Sequence, residues 1–469
     1  MAAVALTDFG STYTKVRLVD RDQGRVLARA QAPTTIGTDL MAGYAAALEA
    51  AQGQLPEPVA IGDALAVSSA GGGLRVAAIG LVADLTAAAA RQAALNAGAR
   101  VGTVLAGELG AAELARLDQA APEIVLFAGG TDGGQADLVL ANARRLAAHG
   151  LAARVVVACN AAVAEPVAAT LDAAGIAAVV ADNVMPKLGR LEIESARAAI
   201  SAAFLEHVIG GKRLSADPEF ARMVRMPTPE AVLAAVRLYS RGPGGSGGVG
   251  DVIVVDVGGA TTDVHSDRAV EPATPGIEGP LLPSPPTLRT VEGDLGLRAG
   301  APGVLAVDRR WIEERLAAAG GEGHGGEGLE GAAAVRVARP AWVPEEPGET
   351  DFDRLLATAC VAHALDRHCG TMLLSRSEQG PPTLVRDGPD LREVSRLIGT
   401  GGIFAHGEGG EAVLRAALER RQPRSLAPRA PAISLDRGYV LAAAGLLASV
   451  DESGAFRLLE RELGDRVQA

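Results

Sequence analysis

Two short segments of this chain bring together residue types that bind phosphate. In the first, an apolar run ends in Asp8, and Phe9, Gly10, Ser11, Thr12, Tyr13, Thr14 and Lys15 follow. A glycine suits a tight turn, here expected at φ > 0. Successive backbone amides at such a tip form an anion-binding concavity, to which the hydroxyls and one ammonium add donors. The aspartate is placed to hold Mg²⁺ through water, because Mg²⁺ keeps most of its hydration shell. In the second, Val254 and Val255 lead into Asp256, then Val257, Gly258, Gly259, Ala260, Thr261, Thr262 and Asp263. An ordinary hairpin would not need two glycines, two threonines and flanking aspartates. Facing one another, two such hairpins would clasp a polyphosphate from both sides. A third segment, Gly399-Thr400-Gly401-Gly402, follows two apolar residues, and its glycines would let the backbone approach a flat ligand closely.

The elements that must position these residues follow from hydrophobic periodicity. Residues 1–30 read as three strands joined by turns, with Lys15 to Asp20 alternating as a strand should. Thr38 or Asp39 then caps a helix that runs to about Ala51. Over 96–190, short buried-strand runs (VGTVLAG, EIVLFAGG, ARVVVACN, AAVVADN) alternate with alanine-rich helical stretches, the pattern of βαβ units and a parallel sheet. Residues 191–250 read as mainly helical, and a strong buried strand follows at Asp251 to Val257. Residues 270–290 form a proline-rich loop and 320–334 a low-complexity surface loop.

Composition narrows the function classes. The 469 residues are 48% hydrophobic and 21% charged, enough to build ordinary cores and too apolar for a disordered chain. The net charge of −12 gives no overall attraction for nucleic acid or anionic lipid, so neither is expected as a partner. Only three lysines occur, Lys15, Lys187 and Lys212, so a lysine beside a glycine turn carries weight. Cys159, Cys360 and Cys369 are too few for a disulfide framework. The amino terminus lacks the basic region of a signal peptide and no run of about 20 apolar residues occurs, which points to the cytoplasm and to no membrane.

Competing chemistries fit less well. There is no GxxxxGK[ST] loop, and the GxGxxG match at Gly321, Gly323 and Gly326 lies in low-complexity sequence without a preceding strand. Cys360, His363, His368 and Cys369 scatter around a helix rather than share one face, which disfavours a metal site. The AGGTDGG segment at 128–134 reads equally as a ligand loop or a structural βα turn. Glu292 and Asp294 could approach a nucleotide cleft or cap the following helix, and the cap is the expected role.

The order of phosphate hairpin, phosphate hairpin and Gly-rich loop resembles the actin, heat-shock chaperone and sugar-kinase superfamily of ATPases. The resemblance sharpens over DFGSTYTK, SSAGGGLR, AGGTDGG, NVMPKLG, MPTP, DVGGATTDVHS, RTVEGDLGLR and IGTGGIFAHG, which occur in that order from 7 to 406. Together they are similar to the MutL/GlmL family, accessory proteins of the coenzyme B12-dependent glutamate mutase. The resemblance implies two ribonuclease H-like lobes with an inserted parallel α/β module. It gives a first lobe at 1–95 completed by 432–469, the module at 96–190, a helical connection at 191–250 and a second lobe at 251–431. It also implies ATP and Mg²⁺ as cofactors. Asp8 and Asp256 would organise Mg²⁺ and its waters as the catalytic pair. Residues Gly10 to Lys15 and Gly258 to Asp263 would hold phosphate, and Gly399 to Gly402 the adenosine. The implied partner is a coenzyme B12-dependent mutase, served by an ATP-hydrolysing reactivating factor. A small-molecule kinase, with Asp256 or Asp263 as base, and a non-hydrolysing nucleotide-sensing scaffold share the same clasp.

Overall fold

The structure is a computed structural model that describes residues 3–70, 74–207, 214–269, 277–318, 328–375 and 383–464. The chain divides into two compact units, residues 1–232 with 280–285 and residues 233–279 with 286–469.

In the first unit, β1 (Ala3–Phe9), β2 (Tyr13–Asp20) and β3 (Arg25–Pro33) form an antiparallel meander. β4 (Ile61–Ser68) then lies parallel to β1. The helix Leu40–Gln52 crosses between β3 and β4, and Asp39 caps it by accepting from the Met41 amide at 2.9 Å. Its buried face, Leu40, Tyr44, Ala47 and Ala51, packs in one core with Ala5, Phe9, Val16 and Leu18 of the sheet.

The chain then builds the inserted module: β5 (Arg75–Gly80), β6 (Arg100–Ala106), β7 (Ile124–Gly129), β8 (Arg154–Cys159) and β9 (Ala178–Val180). All are parallel, in the order β6-β5-β7-β8-β9. Every residue of β7 is buried, as expected of a strand covered on both faces by helices. The module begins earlier than 96, because β5 is an interior strand of its sheet.

The segment 191–250 is more than a helical connection. Its β10 (Val224–Pro227) runs parallel to β4 and completes the first sheet as β10-β4-β1-β2-β3. A strand of four residues ending in proline carries little periodic signal, which is why it was hidden between helices.

The second unit repeats this topology. β11 (Val252–Val257) pairs antiparallel with β12 (Thr262–Asp267). β13 (Ile277–Glu278) leaves for a small sheet, and β14 (Thr287–Glu292) pairs antiparallel with β12. β15 (Thr371–Ser375) and β16 (Thr383–Asp387) join β13, while β17 (Arg396–Thr400) and β18 (Ala432–Leu435) extend β11 in parallel. The order β14-β12-β11-β17-β18, with its two antiparallel and two parallel pairings, matches the first sheet strand for strand. The fold is therefore the expected one, two ribonuclease H-like lobes of the actin-like ATPase type with an inserted parallel α/β module.

The carboxyl terminus departs from expectation. Residues 432–469 do not complete the first lobe: β18 pairs with β17, and the buried helix Val440–Ala448 and the helix Glu452–Leu463 belong to the second unit. The low-complexity stretch also departs in part, since Gly328–Ala338 is a helix with Leu329, Ala332 and Ala333 in the core. The GxGxxG match, Gly71–Gly73 and residues 270–276 of the proline-rich segment lie outside the described residues. Among the described residues no helix is long and apolar enough to cross a membrane.

Candidate functional site

In the first lobe, the β1–β2 register sets Asp8 opposite Lys15, two residues before the turn glycine. Lys15 Nζ lies 3.9 Å from Asp8 Oδ2, a loose and partly solvated ion pair. Asp8 Oδ1 accepts a hydrogen bond from Thr228 Oγ1 at 2.8 Å. The turn is closed by the Gly10 amide, which donates to the Tyr13 carbonyl at 3.1 Å. Gly10 does not use the left-handed region. It is needed for a different reason: a Cβ there would stand 2.7 Å from the Tyr13 carbonyl oxygen.

The tip carbonyls face inward. Gly10 O accepts from Thr34 Oγ1 at 2.8 Å, and Thr12 O from the Thr34 amide at 2.9 Å. Ser11 and Thr12 are exposed, and among the described residues their amides have no hydrogen-bond acceptor. A turn with its carbonyls engaged and its amides open is a cradle for an anion.

The second lobe builds the same object. The Gly258 amide donates to the Thr261 carbonyl at 2.9 Å, and a Cβ on Gly258 would meet that oxygen at 3.0 Å. The Gly258 carbonyl accepts from the Leu297 amide at 3.0 Å, and the Gly259 carbonyl from the amides of Arg298 at 2.7 Å and Gly300 at 3.1 Å. Gly259 and Ala260 are exposed with open amides. The loop behind them needs its own glycines: a Cβ at Gly296 would lie 2.6 Å from the Ala260 carbonyl carbon, and one at Gly300 2.5 Å from its oxygen.

Several expected site residues turn inward instead. Thr14 and Thr262, at matched positions, are fully buried. Thr14 Oγ1 bonds Thr34 Oγ1 at 3.2 Å, and Thr262 Oγ1 donates to the Leu295 carbonyl at 2.9 Å. Strand alternation puts both on the covered face. Asp263 is held by the buried guanidinium of Arg289, whose Nε donates to Oδ1 at 2.9 Å, and by Thr261 Oγ1 at 3.3 Å. Thr400 is buried, and its hydroxyl bonds Asp436 Oδ2 at 3.1 Å. Asp436 in turn accepts from the Val440 amide at 2.8 Å and so anchors the start of the helix Val440–Ala448.

The Gly-rich loop sits beside the second hairpin, because β17 runs parallel to β11 with Thr400 opposite Asp256. Gly401 has φ +108°, and a Cβ there would be 2.3 Å from the Val257 carbonyl oxygen and 3.1 Å from Asp256 Oδ1. Gly402 is exposed and faces Tyr439, itself a non-glycine residue at φ +50°. Beyond the loop, a cavity of about 500 Å³ is lined by Arg315, Leu316, Asp351, Arg354, Glu408 and Gly409.

Other candidates make contacts within the fold. Cys360 is buried, and burial pushes its thiol up to about 12. His363 pairs with Asp308 at 3.3 Å. His368 lies between Ser266 Oγ and Thr290 Oγ1, each at 2.8 Å, and burial with nearby His265 and Arg268 brings it down to about 3. Glu292 pairs with Arg367 rather than capping the next helix. In the module, Asn160 and Asn183 hold the 128–134 loop: Asn160 Oδ1 accepts from the Gly133 amide at 3.0 Å, and Asn183 Nδ2 donates to the Gly130 carbonyl at 3.0 Å.

Sequence reasoning missed Thr228, Arg289, Asp436 and Tyr439. A threonine opening a helix within MPTP was the available signal for the first. The arginine of RTVEG, on the strand beside Asp263, was the signal for the second.

The family described as MutL protein matches residues 4–463. Protein MutL of Clostridium tetanomorphum is 39% identical over 466 residues, covering 99% of each chain. Among solved structures, a glycerol dehydratase reactivase is 13% identical with a TM-score of 0.36, covering 96% of this chain and 99% of that one. The activator of the 2-hydroxyisocaproyl-CoA dehydratase from Clostridium difficile, with bound ADPNP, is 9% identical with a TM-score of 0.31, covering 98% and 97%.

Proposed function

The chain belongs to the MutL protein family, and we propose that it is an ATP-binding, ATP-hydrolysing accessory factor that reactivates a coenzyme B12-dependent mutase of the glutamate mutase type. The observation that carries the nucleotide half of this reading is the duplicated hairpin. Each lobe ends its first strand in a half-buried aspartate, then offers two exposed amides with no internal partner. The mutase half rests on the family resemblance of the sequence.

The residues present fit a hydrated Mg²⁺. Each hairpin contributes one carboxylate at its base, Asp8 or Asp256, and Mg²⁺ is commonly held by one or two carboxylates and the phosphates themselves. When bound, the ion would neutralise charge on the phosphate oxygens. The chain's own part is positional. Open amides of Ser11, Thr12, Gly259 and Ala260 take phosphate oxygens, Lys15 adds a positive charge, and Thr228 fixes the carboxylate of Asp8. Gly401 and Gly402 allow the adenosine to approach the backbone. Phosphoryl transfer to water needs little more than such placement and charge stabilisation.

The buried Arg289–Asp263 pair argues against the kinase alternative in which Asp263 serves as base, since that carboxylate is committed to a guanidinium. ATP turnover measured with and without candidate B12 mutases, with small sugars and acids as controls, tests the assignment. Stimulation by a mutase is expected. A phosphorylated small molecule would overturn it in favour of a kinase.

A further inference from the structure

Beyond that reading, we infer that the second lobe carries a separate site for a phosphate group, built from four arginines at the opposite end of its sheet from the Gly-rich loop. The chain is acidic overall, yet residues 420–429 hold four arginines and no carboxylate. Three of them, Arg421, Arg424 and Arg429, join Arg392 around a cavity of about 380 Å³, with Gln422 and Ser425 completing the wall.

The loop is held rigidly. The Ser425 amide donates to the Gln422 carbonyl at 2.9 Å, closing a turn with Pro423 at its second position and Arg424 at its corner. On one side the Met372 amide donates to the Arg424 carbonyl at 3.0 Å and the Leu426 amide to the Gly370 carbonyl at 2.8 Å. On the other the Leu391 amide donates to the Leu426 carbonyl at 2.9 Å. A platform fixed this way holds its charges together before any ligand arrives.

Charge is left over at this platform. Asp390 takes Arg392, with Nε to Oδ1 at 2.9 Å, and Glu393 takes Arg429 at 3.4 Å between two exposed side chains. Arg421 gives one N–H to the Leu418 carbonyl, and neither it nor Arg424 has a carboxylate partner among the described residues. A third carboxylate, Asp366, accepts from the Gln422 amide at 3.5 Å, so four guanidiniums against three carboxylates leave a formal charge of about +1, which favours an anion such as phosphate. The planar fork of arginine matches phosphate oxygens in pairs, so the ligand class is a phosphate group, free or on a small phosphomonoester.

The site is distinct from the nucleotide loops. Arg392 precedes β17, whose far end delivers Thr400 and Gly401, and five strand residues separate the two by about 16 Å.

The test uses the full chain and isothermal titration at fixed ionic strength, with inorganic phosphate and glycerol phosphate as separate probes and chloride as the balancing anion. Wild type should bind at least one probe, and preference between them identifies a free phosphate or a phosphomonoester. The Arg421→Gln/Arg424→Gln variant should lose roughly tenfold or more in affinity, since it removes two charged donors. ATP binding should be unchanged in that variant. Lys15→Ala should leave the probe affinity intact, which separates this site from the proposed nucleotide loops. Equal probe binding by wild type and the double variant, or no probe binding by wild type, would overturn the proposal. Both arginines are exposed, so a thermal melt matching wild type is expected, and the single variant Arg424→Lys, which keeps the charge, should recover part of the affinity.

Discussion

The hairpin at Gly10–Tyr13 and the hairpin at Gly258–Thr261 close with the same hydrogen bond and leave the same two amides open, yet their side chains are nearly opposites. The first carries hydroxyls at its tip and a half-exposed lysine opposite its aspartate. The second has a bare Gly259-Ala260 tip, and the position matching Lys15 is Asp263, neutralised by buried Arg289. One hairpin therefore offers side-chain donors, while the other offers backbone alone, backed by a glycine-packed loop. Substitutions at matched positions should then have different consequences, functional in the first hairpin and structural in the second.

The widest separation is expected at Asp263. Its side chain is 13% exposed and that of Arg289 only 2%, so Asp263→Ala strands a buried guanidinium. Breaking such a pair destabilises by about 3–5 kcal/mol. Urea unfolding followed by tryptophan fluorescence would report it, since Trp311 and Trp342 both lie in the second unit. A midpoint equal to wild type would place Asp263 in function rather than in folding.

Nearly as large is the effect expected at the two aspartates, which the comparison treats as equivalent. Asp8→Asn and Asp256→Asn keep the shape of each strand end and remove a full charge. Loss of one preorganised electrostatic contact commonly lowers turnover by about 10²-fold or more. ATP should still bind in both variants, because the open amides remain. Wild-type turnover in either one breaks the symmetry and removes that aspartate from the Mg²⁺ role.

The second strand pair also has an acid sensitivity that the first lacks. His265, two residues beyond Asp263, is held well below its usual range by burial and then by Arg289, and His368 lies near 3. The matched residue in the first lobe is Arg17, charged throughout. Both histidines have folded values depressed below the unfolded value near 6.5. The unfolded chain then binds protons that the native state cannot, so their contribution to stability is complete above about pH 6.5 and is lost as pH falls below it, for His368 as it approaches about 3. His368→Gln should flatten this acid limb by a few kcal/mol relative to wild type. An identical pH profile would exclude His368 as its source.

How much of this was legible in the sequence follows from the range of each interaction. The aspartate, glycine and hydroxyl spacing of each hairpin is local, and so is the alternation that marks strands, so both hairpins and the parallel module could be read directly. The inward turn of Thr14 and Thr262 was also implicit in that alternation, because each neighbours a residue that faces the open side. What stayed hidden is non-local. Thr228 reaches Asp8 across 220 residues, and β18 joins β17 from beyond the arginine loop. No spacing rule links such partners before the sheet order is known.

Lys15 sharpens the comparison at a smaller scale. If its ammonium reaches the terminal phosphates, Lys15→Ala should weaken ATP about tenfold and ADP less. Lys15→Arg should recover only part, because a planar fork replaces a compact charge. Calorimetric titrations of both nucleotides decide this. Equal losses for ATP and ADP would confine Lys15 to its ion pair with Asp8.

The smallest expected effect concerns Thr228, which distinguishes the two aspartates in their supports. Asp8 has a hydroxyl bonded to one oxygen at 2.8 Å, whereas Asp256 has the close backbone of Gly401 beside it. The hydroxyl's bond to this partly solvated carboxylate contributes about 1 kcal/mol, so Thr228→Val should lower turnover about fivefold at limiting Mg²⁺. The valine keeps the shape and removes only the hydroxyl, and Thr228→Ser restores the donor. The informative readout is the Mg²⁺ concentration for half-maximal turnover, which should rise in the valine variant and return in the serine one. A purely structural role at the start of the helix Thr228–Arg241 would instead lower the melting temperature and leave the Mg²⁺ dependence unchanged. That outcome would leave Asp8 positioned by its strand alone, and would confine Thr228 to holding the start of its helix.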